Sequence, residues 1–228
     1  MSFNIAIDGP AGAGKSTIAR IAAQRLSFIY VDTGAMYRTI ALALLRSGTD
    51  VEDETALKAQ LEQISVKIGY ENGEQQVYLN GENVSSLIRT EEVSDMTSRS
   101  SAKAQVRAKL TDLQREVAKK ENVLMDGRDI GTVILPDAQL KIYLTASVQA
   151  RAQRRYRELL EKGEAVTLEE TVKDIEARDY RDMHRDVAPL RQAPDAVLVD
   201  SSDMTVEEVV ERITGLARER MEETGIWK

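Results

Sequence analysis

The chain has 228 residues, a formal net charge of −7 and no cysteine. This length suffices for one sizeable α/β domain with an insertion or for two small domains, and the hydrophobic and charged contents are ordinary for a globular protein. The net charge excludes a general attraction to nucleic acid or anionic lipid, the absence of cysteine excludes disulfides and thiolate metal sites, and no apolar run is long enough to span a membrane. We therefore expect a soluble, cytoplasmic protein with no nucleic-acid or membrane partner.

The first motif is a glycine-rich loop between a predicted strand and a predicted helix. Phe3 to Asp8 is a short apolar run, and Lys15 to Leu26 has apolar residues at helical spacing. The loop between them fits the P-loop pattern and continues into Thr17: Gly9-Pro10-Ala11-Gly12-Ala13-Gly14-Lys15-Ser16-Thr17. In this motif backbone N–H groups converge on the β-phosphate, Lys15 neutralises the β and γ oxygens, and the Ser16 hydroxyl binds Mg²⁺. The flanking strand and helix favour nucleoside triphosphate binding over a chance lysine in a glycine-rich turn.

Later apolar runs predict a parallel sheet. Four of them have the length of buried strands and alternate with helical segments: Phe28 to Val31, Val123 to Met125, Lys141 to Leu144, and Ala196 to Val199. Such alternation indicates a doubly wound α/β fold. Two helix starts have the spacing of capping boxes, Thr167 with Glu170 and Thr205 with Glu208.

One segment departs from this alternation. Between Ile64 and Val84 apolar and polar residues alternate with a period of two, and Asn72-Gly73 and Asn80-Gly81 have the sequence of tight hairpin turns. We predict a small antiparallel sheet inserted into the α/β core. No repeat or proline-rich linker divides the chain, which favours one elaborated domain.

An aspartate and several arginines complete the candidate phosphate chemistry. Asp126 follows an apolar run and is the candidate second metal ligand, although it could instead cap the turn that follows. Arginine suits a site that joins two phosphate groups, because its planar guanidinium binds phosphate oxygens bidentately and stays charged. The arginines available are Arg38, Arg107, Arg128, Arg154, Arg178, Arg181 and Arg185. Those crowded into 151–157 and 178–191 could also form solvated helix faces.

The rest of the sequence favours a kinase over a GTPase. It has no Asn-Lys-x-Asp segment of the kind that recognises guanine, and His184, the only histidine, lies in a charged stretch rather than in the pattern of a general base. A monophosphate acceptor needs no base, since its second pKa of about 6 leaves it largely dianionic near neutral pH. Catalysis would then depend on in-line positioning and charge neutralisation.

Several segments together resemble bacterial cytidylate kinases. They are the P-loop with Asp8, Asp32-Thr33-Gly34-Ala35-Met36-Tyr37-Arg38, Ile88-Arg89-Thr90, Asp126-Gly127-Arg128-Asp129-Ile130-Gly131-Thr132 and Arg185-Asp186-Val187-Ala188-Pro189-Leu190. The P-loop alone is shared by many families. The second and fourth segments, and the order of all of them from the first strand to the final helix, are far more specific.

The resemblance implies transfer of the γ-phosphoryl group of ATP to CMP or dCMP, with Mg²⁺. The implied architecture is a P-loop NTPase three-layer fold with a five-stranded parallel sheet, in a single kinase domain. Its implied parts are a core of about 1–35, 87–150 and 186–228, a monophosphate-binding region of about 36–86 that contains the inserted sheet, and a lid of about 151–166. We expect a monomer with small-molecule nucleotides as its partners.

The candidate catalytic residues are Lys15 of the P-loop and the arginines Arg128, Arg154 and Arg178, and the candidate metal ligands are Ser16 and Asp126. The residues that bind the acceptor follow from the resemblance. The implied acceptor contacts are Arg38, Arg128 and Arg178 for the phosphate, Ser98, Arg107 and Asp129 for the cytosine, and Thr33, Asp182 and Arg185 for the sugar. Asp129 can accept a hydrogen bond from the exocyclic amine of cytosine, which uracil lacks. From the residues alone, Ser98 could instead belong to a helix cap, and Asp182 and Arg185 could form a surface pair.

Two other functions remain open on the sequence. A P-loop kinase for another small acceptor, such as UMP, AMP or shikimate, would share the donor motif. A nucleotide-dependent switch would share the P-loop, and it predicts a stable nucleotide complex, slow turnover unaffected by CMP, and a protein partner.

Overall fold

The computed structural model describes residues 2–161 and 163–225. Position 162 of the predicted lid, and positions 1 and 226–228 of the predicted core, lie outside the described residues. In chain order the elements are β1 (Asn4–Asp8), α1 (Lys15–Leu26), β2 (Ile29–Asp32), α2 (Thr33–Ser47), α3 (Glu54–Gln63), β3 (Val66–Glu71), β4 (Glu74–Leu79), β5 (Glu82–Asn83), α4 (Glu91–Ser100), α5 (Ala104–Lys120), β6 (Val123–Gly127), a π-helical turn (Ile130–Ile134), β7 (Leu140–Thr145), α6 (Val148–Glu161), α7 (Leu168–His184), β8 (Val197–Asp200) and α8 (Val206–Thr224). Within these described ranges, no helix has both the length and the apolar character that a membrane span requires.

Five parallel strands form the main sheet in the order β2-β6-β1-β7-β8. The predicted α/β fold and parallel sheet are confirmed, with strand ends displaced by one or two residues. β1 lies at the centre, where Ile5 pairs with Leu124 on one side and with Leu140 on the other. Because a central parallel strand is covered on both faces, its three middle residues are apolar, and Ile5, Ala6 and Ile7 are all fully buried.

β6 extends two residues beyond its predicted end. Asp126 pairs with Ile7, and Gly127 pairs with Asp8, so the ladder to β1 continues past the last apolar side chain. Asp126 is therefore a strand residue rather than the first residue of a turn. The C-terminal end of β6 is set by backbone hydrogen bonding to β1. The hydrophobicity of the residues does not indicate where that bonding stops.

The inserted sheet is confirmed as an antiparallel meander of β3, β4 and β5. Both predicted turns have positive φ at two successive residues, Asn72 with Gly73 and Asn80 with Gly81. Asn and Gly tolerate this left-handed conformation, and two-residue hairpin turns of type I′ require it. The turn chemistry in the sequence therefore fixes the register of this sheet.

Both predicted capping boxes are also confirmed. Thr167 caps α7 and Thr205 caps α8, and in each box the side chain of the glutamate three residues later returns a bond to the backbone of the cap. The chain forms two compact units, one within residues 1–30 and 118–228 and the other Val31–Val117. The finer division into core, monophosphate-binding region and lid stays a prediction.

Candidate active site

The P-loop lies between the end of β1 and the start of α1. Gly12 and Gly14 have φ values of 73° and 81°, which glycine adopts without strain. A Cβ atom on Gly9 would lie 1.9 Å from the carbonyl oxygen of Leu144, at the end of β7, so only glycine fits there. Lys15 folds back along the loop and its Nζ donates to the carbonyl of Pro10 at 2.7 Å. The sequence-predicted donor loop is thus a real strand-to-helix loop whose shape depends on its glycines.

Two predicted metal ligands lie together. The Ser16 hydroxyl donates to one oxygen of the Asp126 carboxylate at 3.1 Å, and the Tyr30 hydroxyl donates to the other at 2.9 Å. Among the described residues there is no cluster of three or more histidines and acids that could hold a metal. Mg²⁺ needs no such cluster, because it takes hard oxygen ligands and keeps water and substrate phosphate in its shell. The hydroxyl and carboxylate present therefore fit Mg²⁺.

A second polar cluster joins the end of β6 to α7. Arg128 Nε donates to the Asp182 carboxylate at 2.8 Å, and Arg185 Nη2 lies 3.5 Å from the Asp129 carboxylate. Arg185 is further held by the carbonyl of Ala188, which its Nε contacts at 2.8 Å. Asp182 is only 6% exposed, so the alternative that it forms a surface pair with Arg185 is wrong. Four of the predicted acceptor residues are therefore brought together.

Electrostatics connect this cluster to the P-loop. Burial, together with the positive charge of Arg128, lowers the pKa of Lys15 well below its ordinary value, while the carboxylates of Asp126 and Asp182 oppose that change. Burial alone would raise the pKa of Asp182, but Arg128 holds it below its ordinary value. Arg178 contributes to both effects. Such a concentration of cations, with Lys15 buried and Arg128 and Arg178 half-buried, is what two mutually repelling phosphate groups require.

A cavity of about 290 Å³ opens beside the P-loop. Gly12 and Thr17 line it from the loop, Arg154 from α6, and Ser201 and Thr205 from the segment between β8 and α8. Arg154 is held there by two hydrogen bonds to Ser201, from Nη2 to the carbonyl and from Nη1 to the hydroxyl. The structure therefore places Arg154 next to the P-loop.

In the Val31–Val117 unit, Asp32 organises the start of α2. Its carboxylate caps the helix by accepting from the N–H of Ala35 at 2.8 Å and is 3.3 Å from Arg89. The inserted sheet contacts the same residue, because the Gln75 amide accepts from the N–H of Asp32 at 2.9 Å and donates to its carbonyl at 3.1 Å. Thr33, the next residue, is buried as the first residue of α2.

The other predicted acceptor residues of this unit lie on α2, α4 and α5. Arg38 is half-buried, and a Cβ atom on Gly34 would come within 3.0 Å of its Nη1, so the glycine makes room for the guanidinium. Arg107 is buried, lies 5.3 Å above the ring of Tyr37 and donates to the carbonyl of Ser101. Ser98 lies inside α4, before its C-cap Ser101, and the next helix, α5, begins only at Ala104.

Three buried residues near the P-loop escaped the sequence analysis. The Asp8 carboxylate accepts from the N–H groups of Ile130 and Gly131, both at 2.7 Å. Arg151 and Asp179 form an ion pair of 2.6 Å between α6 and α7. Asp8 directly precedes the P-loop, so the sequence indicated that it lies near the site but gave no role for its carboxylate. The only signal for Arg151 was the crowding of arginines in 151–157, where a solvated face was the alternative; at 4% exposure, Arg151 contradicts it.

The parallel sheet, the P-loop after its first strand and the arginines around Lys15 define a P-loop kinase. A family model described as cytidylate kinase matches residues 5–219. The chain is 50% identical over 211 residues to the cytidylate kinase of Carboxydothermus hydrogenoformans, covering 92% of this chain and 95% of that protein. It is 47% identical over 218 residues to the cytidylate kinase of Lactobacillus johnsonii, covering 96% and 95%. The chain belongs to the cytidylate kinase family.

A solved structure supports the fold independently. Shikimate kinase from Bacteroides thetaiotaomicron matches with a TM-score of 0.50, over 95% of this chain and 98% of that one. The sequence identity is 14%, so this similarity concerns the fold alone.

Proposed function

We propose that the chain transfers the γ-phosphoryl group of ATP to CMP and dCMP, giving CDP and dCDP. The observation that supports this most directly is the end of β6. There Asp126 bonds to Ser16 of the P-loop, while the neighbouring Arg128 bonds to Asp182. One strand end thus carries a metal ligand for the donor and a cation for the acceptor. Membership of the cytidylate kinase family favours this activity over UMP, AMP or shikimate phosphorylation and over a nucleotide switch.

On the donor side, residues 9–17 bind the triphosphate through backbone N–H groups and Lys15. The cavity beside the loop receives the donor nucleoside, with Arg154 on its wall. Ser16 and Asp126 would hold Mg²⁺, which when bound supplies positive charge to the donor phosphates. Lys15 adds charge where it develops in the transition state, and its lowered pKa reflects how little water surrounds it.

On the acceptor side, the phosphate oxygen of the monophosphate is itself the nucleophile, so no protein base is needed. We assign the phosphate to Arg38, Arg128 and Arg178, the sugar to Thr33, Asp182 and Arg185, and the base to Ser98, Arg107 and Asp129. Because Asp182 bonds to Arg128, the guanidinium is held in place before the acceptor arrives.

The wider organisation is part of the same proposal. We assign residues 36–86 to a monophosphate-binding region and 151–166 to a lid. Closure of the monophosphate-binding region over both nucleotides excludes water and so prevents wasteful hydrolysis of ATP. The enzyme works as a monomer in the cytoplasm, on free nucleotides rather than on nucleic acid or membranes.

The proposal is tested by the base preference of Asp129→Ala. The lost hydrogen bond to the cytosine amine predicts a fall of roughly 10- to 100-fold in kcat/KM for CMP, with a much smaller change for UMP. Asp137→Ala, an exposed acid shortly after the π-helical turn, is the matched control and should keep the wild-type preference. Lys15→Ala should lose most turnover with either base. An unchanged CMP-to-UMP ratio in Asp129→Ala would remove Asp129 from the base site.

A further inference from the structure

The ion pair between Arg151 on α6 and Asp179 on α7 lies against the P-loop. Arg151 Nη1 is 2.6 Å from Asp179 Oδ2, and the two residues are 4% and 8% exposed. Removing two charges from water is costly, and the cost is offset only when further hydrogen bonds satisfy both groups. Arg151 Nε donates to the carbonyl of Ala146 at 2.9 Å, which anchors the guanidinium just after β7. The remaining bonds of the pair are made to the P-loop.

Both polar groups of Ala11 are taken by this pair. Asp179 Oδ1 accepts from the Ala11 N–H at 3.2 Å, and Arg151 Nη1 donates to the Ala11 carbonyl at 2.9 Å. The next residue packs directly on α6, since a Cβ atom on Gly12 would lie 3.3 Å from the Cβ of Arg151. The pair therefore holds the P-loop backbone against α6 and α7 by hydrogen bonds to Ala11.

The hydrogen bond from Ala11 to Asp179 is linked to Lys15 through a single peptide unit. The Ala11 N–H and the Pro10 carbonyl belong to the same peptide unit, which is planar, so the direction of the N–H determines the direction of the carbonyl. That carbonyl accepts from Lys15 Nζ at 2.7 Å. By holding the N–H, Asp179 orients the atom to which the Lys15 ammonium is bonded.

We propose that Arg151 and Asp179 are positioning residues that set the Pro10–Ala11 peptide and, through it, aim Lys15 at the donor phosphates. This inference rests on the proposed function for the identity of the donor. Asp179 also lies between Arg178 and Asp182 on α7, both assigned to the acceptor. The same helix therefore carries acceptor contacts and holds the P-loop, so that the groups binding the donor and those binding the acceptor keep fixed positions relative to each other.

The experiment measures binding of a non-hydrolysable ATP analogue with Mg²⁺ by calorimetry, in the absence of acceptor. Asp179→Asn keeps an acceptor for the Ala11 N–H but loses the charge that holds Arg151, and Arg151→Lys keeps the charge but loses the planar fork. Each should weaken analogue binding roughly tenfold, as expected for loss of a charge-assisted hydrogen bond, while CMP binding changes less than about twofold. Glu169→Gln on α7 is the control: it breaks an exposed pair with Lys173 and should leave both affinities unchanged.

A double-mutant cycle separates positioning from mere stability. If Asp179 acts through Lys15, Asp179→Asn should weaken analogue binding by less than about twofold in a Lys15→Ala background. The proposal would be overturned if Asp179→Asn weakened analogue binding equally in the wild-type and Lys15→Ala backgrounds, or if it left analogue binding unchanged. It would also be overturned if analogue and CMP binding weakened in parallel with a lowered Tm. Should Asp179→Asn not fold at the assay temperature, Arg151→Lys takes its place in the cycle. Failure of the wild-type protein to phosphorylate CMP would refute the proposed function instead, because analogue binding is measured without acceptor.

Discussion

Asp8 is the buried acid whose titration should be visible in the stability of the protein. It is 4% exposed, and burial raises its pKa from 3.8 to about 6, although the N–H groups of Gly131 and Ile130 favour its charged form. The difference between these pKa values corresponds to about 3 kcal/mol of unfolding free energy. At pH values between these two pKa values, Asp8 is more protonated in the folded protein than in the unfolded chain. The contribution of Asp8 to stability is therefore fully present below about pH 4 and is lost as the pH rises through about 6.

Asp8→Asn isolates this effect, since it keeps the shape of the side chain and cannot ionise. The measurement is urea denaturation of wild type and variant at a series of pH values from about 4 to about 7.5. The unfolding free energy of wild type minus that of Asp8→Asn should fall by about 2 kcal/mol between about pH 4 and 6.5 and become level above about pH 7. A difference that is constant over the whole range would refute the reasoning. Asp137→Asn, at an exposed position, is the control and should change the unfolding free energy by less than about 0.5 kcal/mol.

The remaining predictions concern pairs and caps named above. Asp182→Asn should lower the unfolding free energy by about 3 kcal/mol, because it leaves the Arg128 guanidinium, whose side chain is only 20% exposed, without its carboxylate; urea denaturation showing a loss below about 1 kcal/mol would contradict this. Gln75→Ala should raise KM for CMP several-fold and leave KM for ATP unchanged, since it frees the end of β2 from the inserted sheet, whereas Gln76→Ala, in the same strand, should change neither constant in steady-state assays. Thr167→Ala removes a capping box and should cost about 1 kcal/mol without affecting kcat, as thermal denaturation and turnover together will show.

The sequence predicted those parts of the molecule whose chemistry is local. The P-loop could be located because glycines, a lysine and a hydroxyl occur in order between a strand pattern and a helix pattern. The inserted sheet could be located because Asn-Gly pairs at two turns favour positive φ. The capping boxes depend on residues three apart. In each case the interacting groups are close in sequence.

The sequence could not predict contacts between distant segments. Asp8 bonds to backbone groups more than 120 residues later, and Asp179 bonds to the N–H of Ala11 from a distance of 168 residues. Nothing in the composition of α6 or α7 distinguishes the buried Arg151 from the more exposed Arg155, because burial follows from helix packing on the P-loop. Asp182 illustrates the same limit: its spacing to Arg185 left a surface pair open as an alternative to the predicted sugar contact, whereas packing makes it a buried partner of Arg128.

The central claim is that this P-loop enzyme phosphorylates cytidine monophosphates. It is tested most directly by a coupled assay of ADP formation with ATP and Mg²⁺, in which CMP, dCMP, UMP, AMP and shikimate are offered one at a time. We expect rapid ADP formation with CMP and dCMP and much slower formation with the others. Phosphorylation of UMP, AMP or shikimate in clear preference to CMP would contradict the account.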